Sequence, residues 1–137
     1  MITITIPGEM RGKGRPRFSG RGGFVRAFTD GKTVNMEAFI KMRALSAVVG
    51  MPPLDGPVSI RLEIGVAVPS SWSKRKRADA LAGAVWPTAK PDLDNVLKLV
   101  GDACNGIVWA DDKQIVRAEV SRRYVETPAT VLTVAEV

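Results

Sequence analysis

The chain has 137 residues, the size of one domain, and carries 20 Lys and Arg against 14 Asp and Glu for a net charge of +6. It has no histidine, which excludes catalytic histidines, His-ligated zinc or haem and His-based pH switches; one cysteine excludes a disulfide framework and a cysteine-cluster metal site. Hydrophobic content of 45% is enough for a packed core, a pI near 9.9 makes a polyanion the leading class of partner, and no run approaches the ~18 apolar residues of a membrane span.

In chain order, Ile2, Ile4 and Ile6 alternate with threonines and predict a strand closed by Pro7-Gly8. Residues 11–23, rich in Gly and Arg, read as a long basic loop or arm, and Phe24–Phe28 as a short strand. Met36, Phe39, Ile40, Leu45, Val48 and Val49 form the apolar face of a helix over 35–49, stopped by Gly50 and Pro52-Pro53. Val58, Ile60, Leu62, Ile64, Val66 and Val68 alternate in the clearest strand. Ser70-Ser71 offer N-caps for a helix from Trp72 to Leu81. Two prolines hold 84–91 extended. A helix over 94–105 carries the stripe Val96, Leu97, Val100, Ala103 and Cys104 and stops at Asn105-Gly106. Strands are expected at 107–109 and 114–122, flanking an Asp111-Asp112 turn, and at 130–134. Strands and helices interleave without a βαβ repeat. The expected fold class is therefore α+β: one compact domain over 1–137, with a mixed β-sheet flanked by helices.

Charge is unevenly spread. Residues 11–26 hold six cations and no acid, and Lys74-Arg75-Lys76-Arg77 form a second basic run. Residues 92–112 hold five acids and one base, a local charge of −4 that leaves +10 on the rest of the chain. A basic body with one acidic segment suits a metal-dependent enzyme acting on a polyanion, in which cations grip phosphate and acids hold divalent metal.

Within that segment, Asp92 and Asp94 stand two apart on a stretch that Pro91 keeps extended, so both can point the same way before the helix begins. A few carboxylates, completed by water and phosphate oxygens, suit Mg²⁺. Asp112 is placed to supply a third if the chain folds back after Gly106. Lys98, one turn beyond Asp94 and opposite the apolar stripe, is placed to orient a scissile phosphate. Each piece has a bland alternative. Helix capping accounts for one of the two aspartates, an exposed i,i+4 ladder for Asp94, Lys98 and Asp102, and an ordinary turn for Asp111-Asp112. Cys104 reads as core; among the tryptophans, Trp72 beside the basic run is the one candidate for base stacking.

The segments KPDLDN (90–95), Lys98 and DACNGIVWADDKQIV (102–116) resemble the RusA family of Holliday junction resolvases. GKGRPRF (12–18) resembles that family's basic N-terminal segment, and the Ser/Trp/Lys/Arg run at 70–77 its basic mid-chain helix. The resemblance implies a RusA-like mixed fold and a homodimer that resolves four-way DNA junctions by paired symmetric nicks in recombination and repair. It implies Mg²⁺ (with Mn²⁺ as possible substitute) on Asp92, Asp94 and Asp112, with Lys98 as the essential lysine. It implies DNA contacts from Lys13, Arg15, Arg17, Lys74, Arg75, Lys76, Arg77 and Lys90, and a cytoplasmic location in a bacterial or phage-infected cell. Two departures stand out: Cys104 where the family usually has leucine, and Gly101 in mid-helix, where a close approach is expected. The rival readings are a non-catalytic branched- or single-stranded-DNA-binding protein and a metal-dependent RNase.

Overall fold

The structure, a computed structural model, describes residues 1–10, 17–19, 26–28 and 31–137, with side chains described for 1–10 and 35–137. In chain order the elements are β1 (Ile2–Pro7), β2 (Arg17–Ser19), β3 (Arg26–Phe28), α1 (Gly31–Ala47), β4 (Val58–Ala67), α2 (Lys74–Leu81), α3 (Leu93–Ala103), β5 (Ile115–Val125) and β6 (Ala129–Glu136). Four strands form a mixed sheet in the order β1-β6-β4-β5, parallel between β4 and β5 and antiparallel elsewhere. β2 and β3 pair as a separate antiparallel hairpin. This is the expected α+β class, as a single compact domain.

Alternation decides which face of the sheet is covered. Ile4 and Ile6 on β1, Ile60, Leu62 and Ile64 on β4, and Leu132 and Val134 on β6 are all buried. Register aligns them, with Leu132 opposite both Ile4 and Leu62. Ile40 and Ala44 of α1, Val48 just beyond its end, and Val96, Leu99, Val100 and Ala103 of α3 join the same core, with Trp109 fully enclosed. Burying each large aliphatic side chain contributes about 1.5–3 kcal/mol, so packing on the sheet holds these helices more than propensity does. The opposite face is polar. Thr3, Thr5, Arg61, Glu63, Arg117 and Glu119 lie exposed there, and Arg61 pairs with Glu119 across β4 and β5 at 3.1 Å. α2 packs through a satellite cluster of Val68, Ala80 and Tyr124, where Trp72 meets the Tyr124 ring edge-on at 5.2 Å.

Three local expectations change. α1 ends at Ala47, and Leu45 and Val49 are exposed, because the stripe that meets the core is Ile40, Ala44 and Val48, spaced by four. α2 begins at Lys74 rather than Trp72: Ser73 is its N-cap, with Oγ accepting the backbone N–H of Lys76 at 3.2 Å, while Trp72 packs in the turn before it. Residues 107–109 form no strand. The chain turns there, and only Trp109 makes isolated bridges, to Leu54 and Asn105. The Gly/Arg-rich stretch apart from 17–19, and residues 24–25 of the expected short strand, lie outside the described residues.

Candidate active site

α3 is entered through Pro91. Asp92 takes the N-cap position in extended geometry (φ −66°, ψ 142°), yet its side chain makes no capping hydrogen bond. Its carboxylate instead accepts from Asn95 Nδ2 at 3.4 Å, a long contact. Asp94 lies exposed in the first helical turn, where the helix dipole favours an acid. The buried face of α3 is Val96, Leu99, Val100, Gly101 and Ala103, which leaves Lys98 on the outer side.

At the far end, Asn105 and Gly106 reverse the chain. Gly106 adopts φ +76°, which glycine reaches without cost, and its N–H donates to Trp109 O at 2.7 Å. Trp109 drives its ring into the core and donates Nε1–H to Asn105 Oδ1 at 2.9 Å. This compact loop, rather than a strand, carries the chain back to Asp111 and Asp112. Asp111 then caps a short 3-10 turn (Asp112–Gln114), its Oδ1 accepting from the Lys113 N–H at 2.9 Å. Gln114 locks the turn from three directions. Its Oε1 accepts from the Asp111 N–H at 3.0 Å, and its Nε2 donates to Leu54 O and Gly56 O at 2.9 Å each.

The result is a charged cluster on the outer side of α3. Lys98 Nζ lies 3.1 Å from Asp102 Oδ1 and 3.6 Å from Asp112 Oδ2. Asp112 also rests on the helix backbone: a Cβ added at Gly101 would lie 3.4 Å from its Oδ2 and 3.6 Å from its Cβ. The mid-helix glycine therefore marks the approach of a site residue. Hydrogen bonding to Asp102, then the charges of Asp102 and Asp112, raise the Lys98 pKa and keep its ammonium protonated. Burial and the bond shared with Asp111 push the Asp112 carboxyl up, with Lys98 opposing. The Lys113 N–H, then the Asp112 carboxyl, pull Asp111 down. Two adjacent acids are thus driven apart in proton affinity.

Structure brings Lys98, Asp102 and Asp112 together; it does not gather all the expected acids. Among the described residues, no group of three or more His, Cys, Asp or Glu side chains is close enough to hold a metal ion by itself, and Lys98 does not pair with Asp94. Lys74, Arg75, Lys76 and Arg77 are all exposed in the first turns of α2, and Lys90 is exposed next to the Asp92 segment. Lys13 and Arg15 lie outside the described residues, and Arg17 opens β2 with its side chain undescribed. Lys76 Nζ sits 3.9 Å over the ring of Trp72, which packs against Tyr124, so the best candidate for base stacking is engaged within the protein. Trp86 is the exposed one, at 58%, with Arg123 beside its ring. Gln114 and Arg122 hold the site's backbone yet were not among the expected site residues. Gln114 lies inside the DDKQIV motif, whereas nothing in the local sequence marks Arg122.

This α+β fold thus sets Lys98 between Asp102 of α3 and Asp112 of the following turn, and puts four exposed cations on α2. A model of the family described as endodeoxyribonuclease RusA matches residues 7–135, and the chain belongs to that family. It is also 36% identical over 140 residues to the uncharacterized protein YqaN of Bacillus subtilis (strain 168), covering 99% of this chain and 96% of that protein. The family is one of endodeoxyribonucleases.

Proposed function

We propose that the protein is a Holliday junction resolvase, an endodeoxyribonuclease that resolves four-way DNA junctions by paired symmetric nicks. The observation that carries this reading is the Lys98–Asp102–Asp112 cluster, a protonated lysine held at 3.1 and 3.6 Å by two acids inside the family-matched region. A lysine so held stays charged and positioned to neutralise a phosphate oxygen as negative charge builds there.

Asp92, Asp94 and Asp112 are the residues assigned to Mg²⁺, with Mn²⁺ as a substitute. Two features support the donor set. The Asp92 carboxylate is not used up in capping α3, and the crowded Asp112 carboxyl is in the setting that a bound cation would relieve. Their all-oxygen chemistry suits a hard divalent ion such as Mg²⁺ or Mn²⁺. Bound there, the metal would supply an activated water and charge stabilisation for phosphodiester hydrolysis. Phosphodiester hydrolysis with water added to phosphorus and the 3′ oxygen as leaving group would give 5′-phosphate and 3′-hydroxyl ends.

Lys74, Arg75, Lys76 and Arg77 place four cations at the positive end of α2, whose first turn holds no acid. Cations there oppose the helix dipole by about 0.3–1 kcal/mol each, a cost that a bound phosphate reverses. They are proposed to grip DNA phosphates, and Lys13, Arg15, Arg17 and Lys90 are the other cations assigned to that role. Two opposed cuts call for a homodimer whose two-fold axis matches the junction's own. The setting is cytoplasmic, and no helix among the described residues is long and apolar enough to cross a membrane.

The test is a side-by-side assay in Mg²⁺ on a synthetic four-way junction, linear duplex and structured RNA. Preferential nicking of the junction supports the reading. Binding without cleavage favours a branched-DNA-binding protein, and preferential RNA cleavage favours an RNase.

A further inference from the structure

Arg122 stands on the helix-facing side of β5, opposite the buried Ile64 of β4 and between the partly buried Val120 and the buried Tyr124. An arginine on that face is tolerated where its N–H groups find acceptors. Those it finds are backbone carbonyls: Arg122 Nη1 donates to Ala89 O at 2.5 Å and to Pro91 O at 2.8 Å. Both carbonyls belong to the irregular segment that precedes α3, which has no ladder of its own to satisfy them. They bracket Lys90, and the second is bonded directly to the nitrogen of Asp92. β5 is itself fixed along its length by parallel pairing to β4, so the anchor is part of the sheet.

We infer that Arg122 is a positioning residue: through the Ala89 and Pro91 carbonyls it sets where Lys90 and Asp92 stand relative to the Lys98–Asp112 side of the site. The inference rests on the proposed function in taking Asp92 as a metal ligand. Its contact with the site is through backbone carbonyls, so the role depends on the planar geometry of the guanidinium and charge alone does not supply it. Lysine keeps the charge but replaces a rigid planar donor set with a compact ammonium on a flexible stem.

The experiment compares wild type, Arg122→Ala and Arg122→Lys in three measurements. The first is the backbone ¹⁵N order parameters of Lys90, Asp92 and Asp94 in the free protein. The second is Mn²⁺ binding to the free protein, followed by loss of the free Mn²⁺ EPR signal. The third is the Mg²⁺ dependence of junction nicking. Both variants are expected to lower the order parameters from the rigid value of about 0.85 toward 0.6. Both should weaken Mn²⁺ binding and raise the Mg²⁺ needed for half-maximal nicking by ~10–100-fold, as outer-shell substitutions do. Junction affinity in EDTA should stay within about twofold for Arg122→Lys, which keeps the phosphate-attracting charge. Should the alanine variant not fold, the lysine variant carries the same readings.

A packing role alone lowers the melting temperature and leaves Mn²⁺ affinity unmoved. Unchanged order parameters at 90–94, or unchanged divalent-ion dependence, in folded Arg122→Lys overturns the inference. If wild type binds Mn²⁺ but nicks no junction, the resolvase reading fails; weakened Mn²⁺ binding in the variants then still upholds Arg122. If wild type nicks junctions and Arg122→Lys does so with the same Mg²⁺ dependence, the Arg122 inference alone fails.

Discussion

Asp112 and Asp92 stand on two stretches of backbone that flank α3, and the protein secures them by different means. Asp112 sits in a turn capped by Asp111, bonded through Gln114 to the 54–56 loop, laid against Gly101 and paired with Lys98. Asp92 and Asp94 are exposed at the start of the helix, and the segment before them is held by Arg122 through carbonyl oxygens. One side is pre-assembled and charge-compensated, while the other presents carboxylates to solvent. The difference suits a site that keeps its lysine in place at all times and completes its acidic set only when cation and phosphate arrive.

The largest effect expected from breaking this contrast is at its compensated side. Lys98→Ala removes the ammonium that Asp102 and Asp112 share, and junction nicking should fall by ~10²–10³-fold with junction binding largely kept, as for loss of one transition-state donor. Single-turnover rates against junction affinity in EDTA check this; a rate within a few fold of wild type contradicts it.

Gln114→Ala comes next. It removes one hydrogen bond that closes the Asp111–Asp112 turn and two that tie it to the 54–56 loop, and unpaired groups there cost about 1–3 kcal/mol of stability by urea unfolding. Arg122→Lys should affect activity while costing less stability. Equal stability losses for the two would erase the distinction between a built-in turn and a clamped loop.

Gly101 separates packing from chemistry. Alanine there meets Asp112 at ordinary contact distance and improves helix propensity, so Gly101→Ala should fold normally and gain up to about 1 kcal/mol. A β-branched valine reaches further toward the carboxylate, so Gly101→Val should lose nicking while remaining folded. Equal activity for the two variants would show that the Asp112 contact is incidental.

The smallest effect concerns Cys104, fully buried beneath α3, where desolvation pushes its thiol up to about 12. An unfolded thiol ionises near ~8.5. The folded thiol therefore favours folding fully below pH ~8.5, and that contribution declines as pH rises toward 12. The folded protein should resist alkylation at pH 8 and react only on unfolding. Prompt labelling of the native protein would contradict the burial of this face.

Much of this was readable residue by residue. Strict alternation marked β1, β4 and β6, because one face of each is buried and the other is polar. The KPDLDN segment and the Asn105-Gly106 stop marked both ends of α3 to within a residue or two. What was not readable depended on tertiary partners. Leu45 and Val49 fit a helical stripe as well as Ile40 and Ala44 do, and only the placement of α1 on the sheet decides between them. Ser70-Ser71 offered N-caps for α2, yet Ser73 is the serine whose side chain reaches the helix. Residues 107–109 are apolar enough for a strand, yet the buried Trp109 and the Asn105-Gly106 turn leave no length for one. Arg122 reaches carbonyls 31 and 33 residues away, and a bond to a carbonyl leaves no trace in the identity of the residue that accepts it.

The central claim, that these acids cut junction DNA, is tested most directly by strand-mapped nicking of a synthetic four-way junction in Mg²⁺ by wild type and Asp94→Asn. Asp94 is exposed, so the substitution leaves the fold intact. The account predicts paired nicks at symmetric positions with ligatable 5′-phosphate ends for wild type, and bound but uncut junction for Asp94→Asn. Undiminished cleavage by the variant would contradict it.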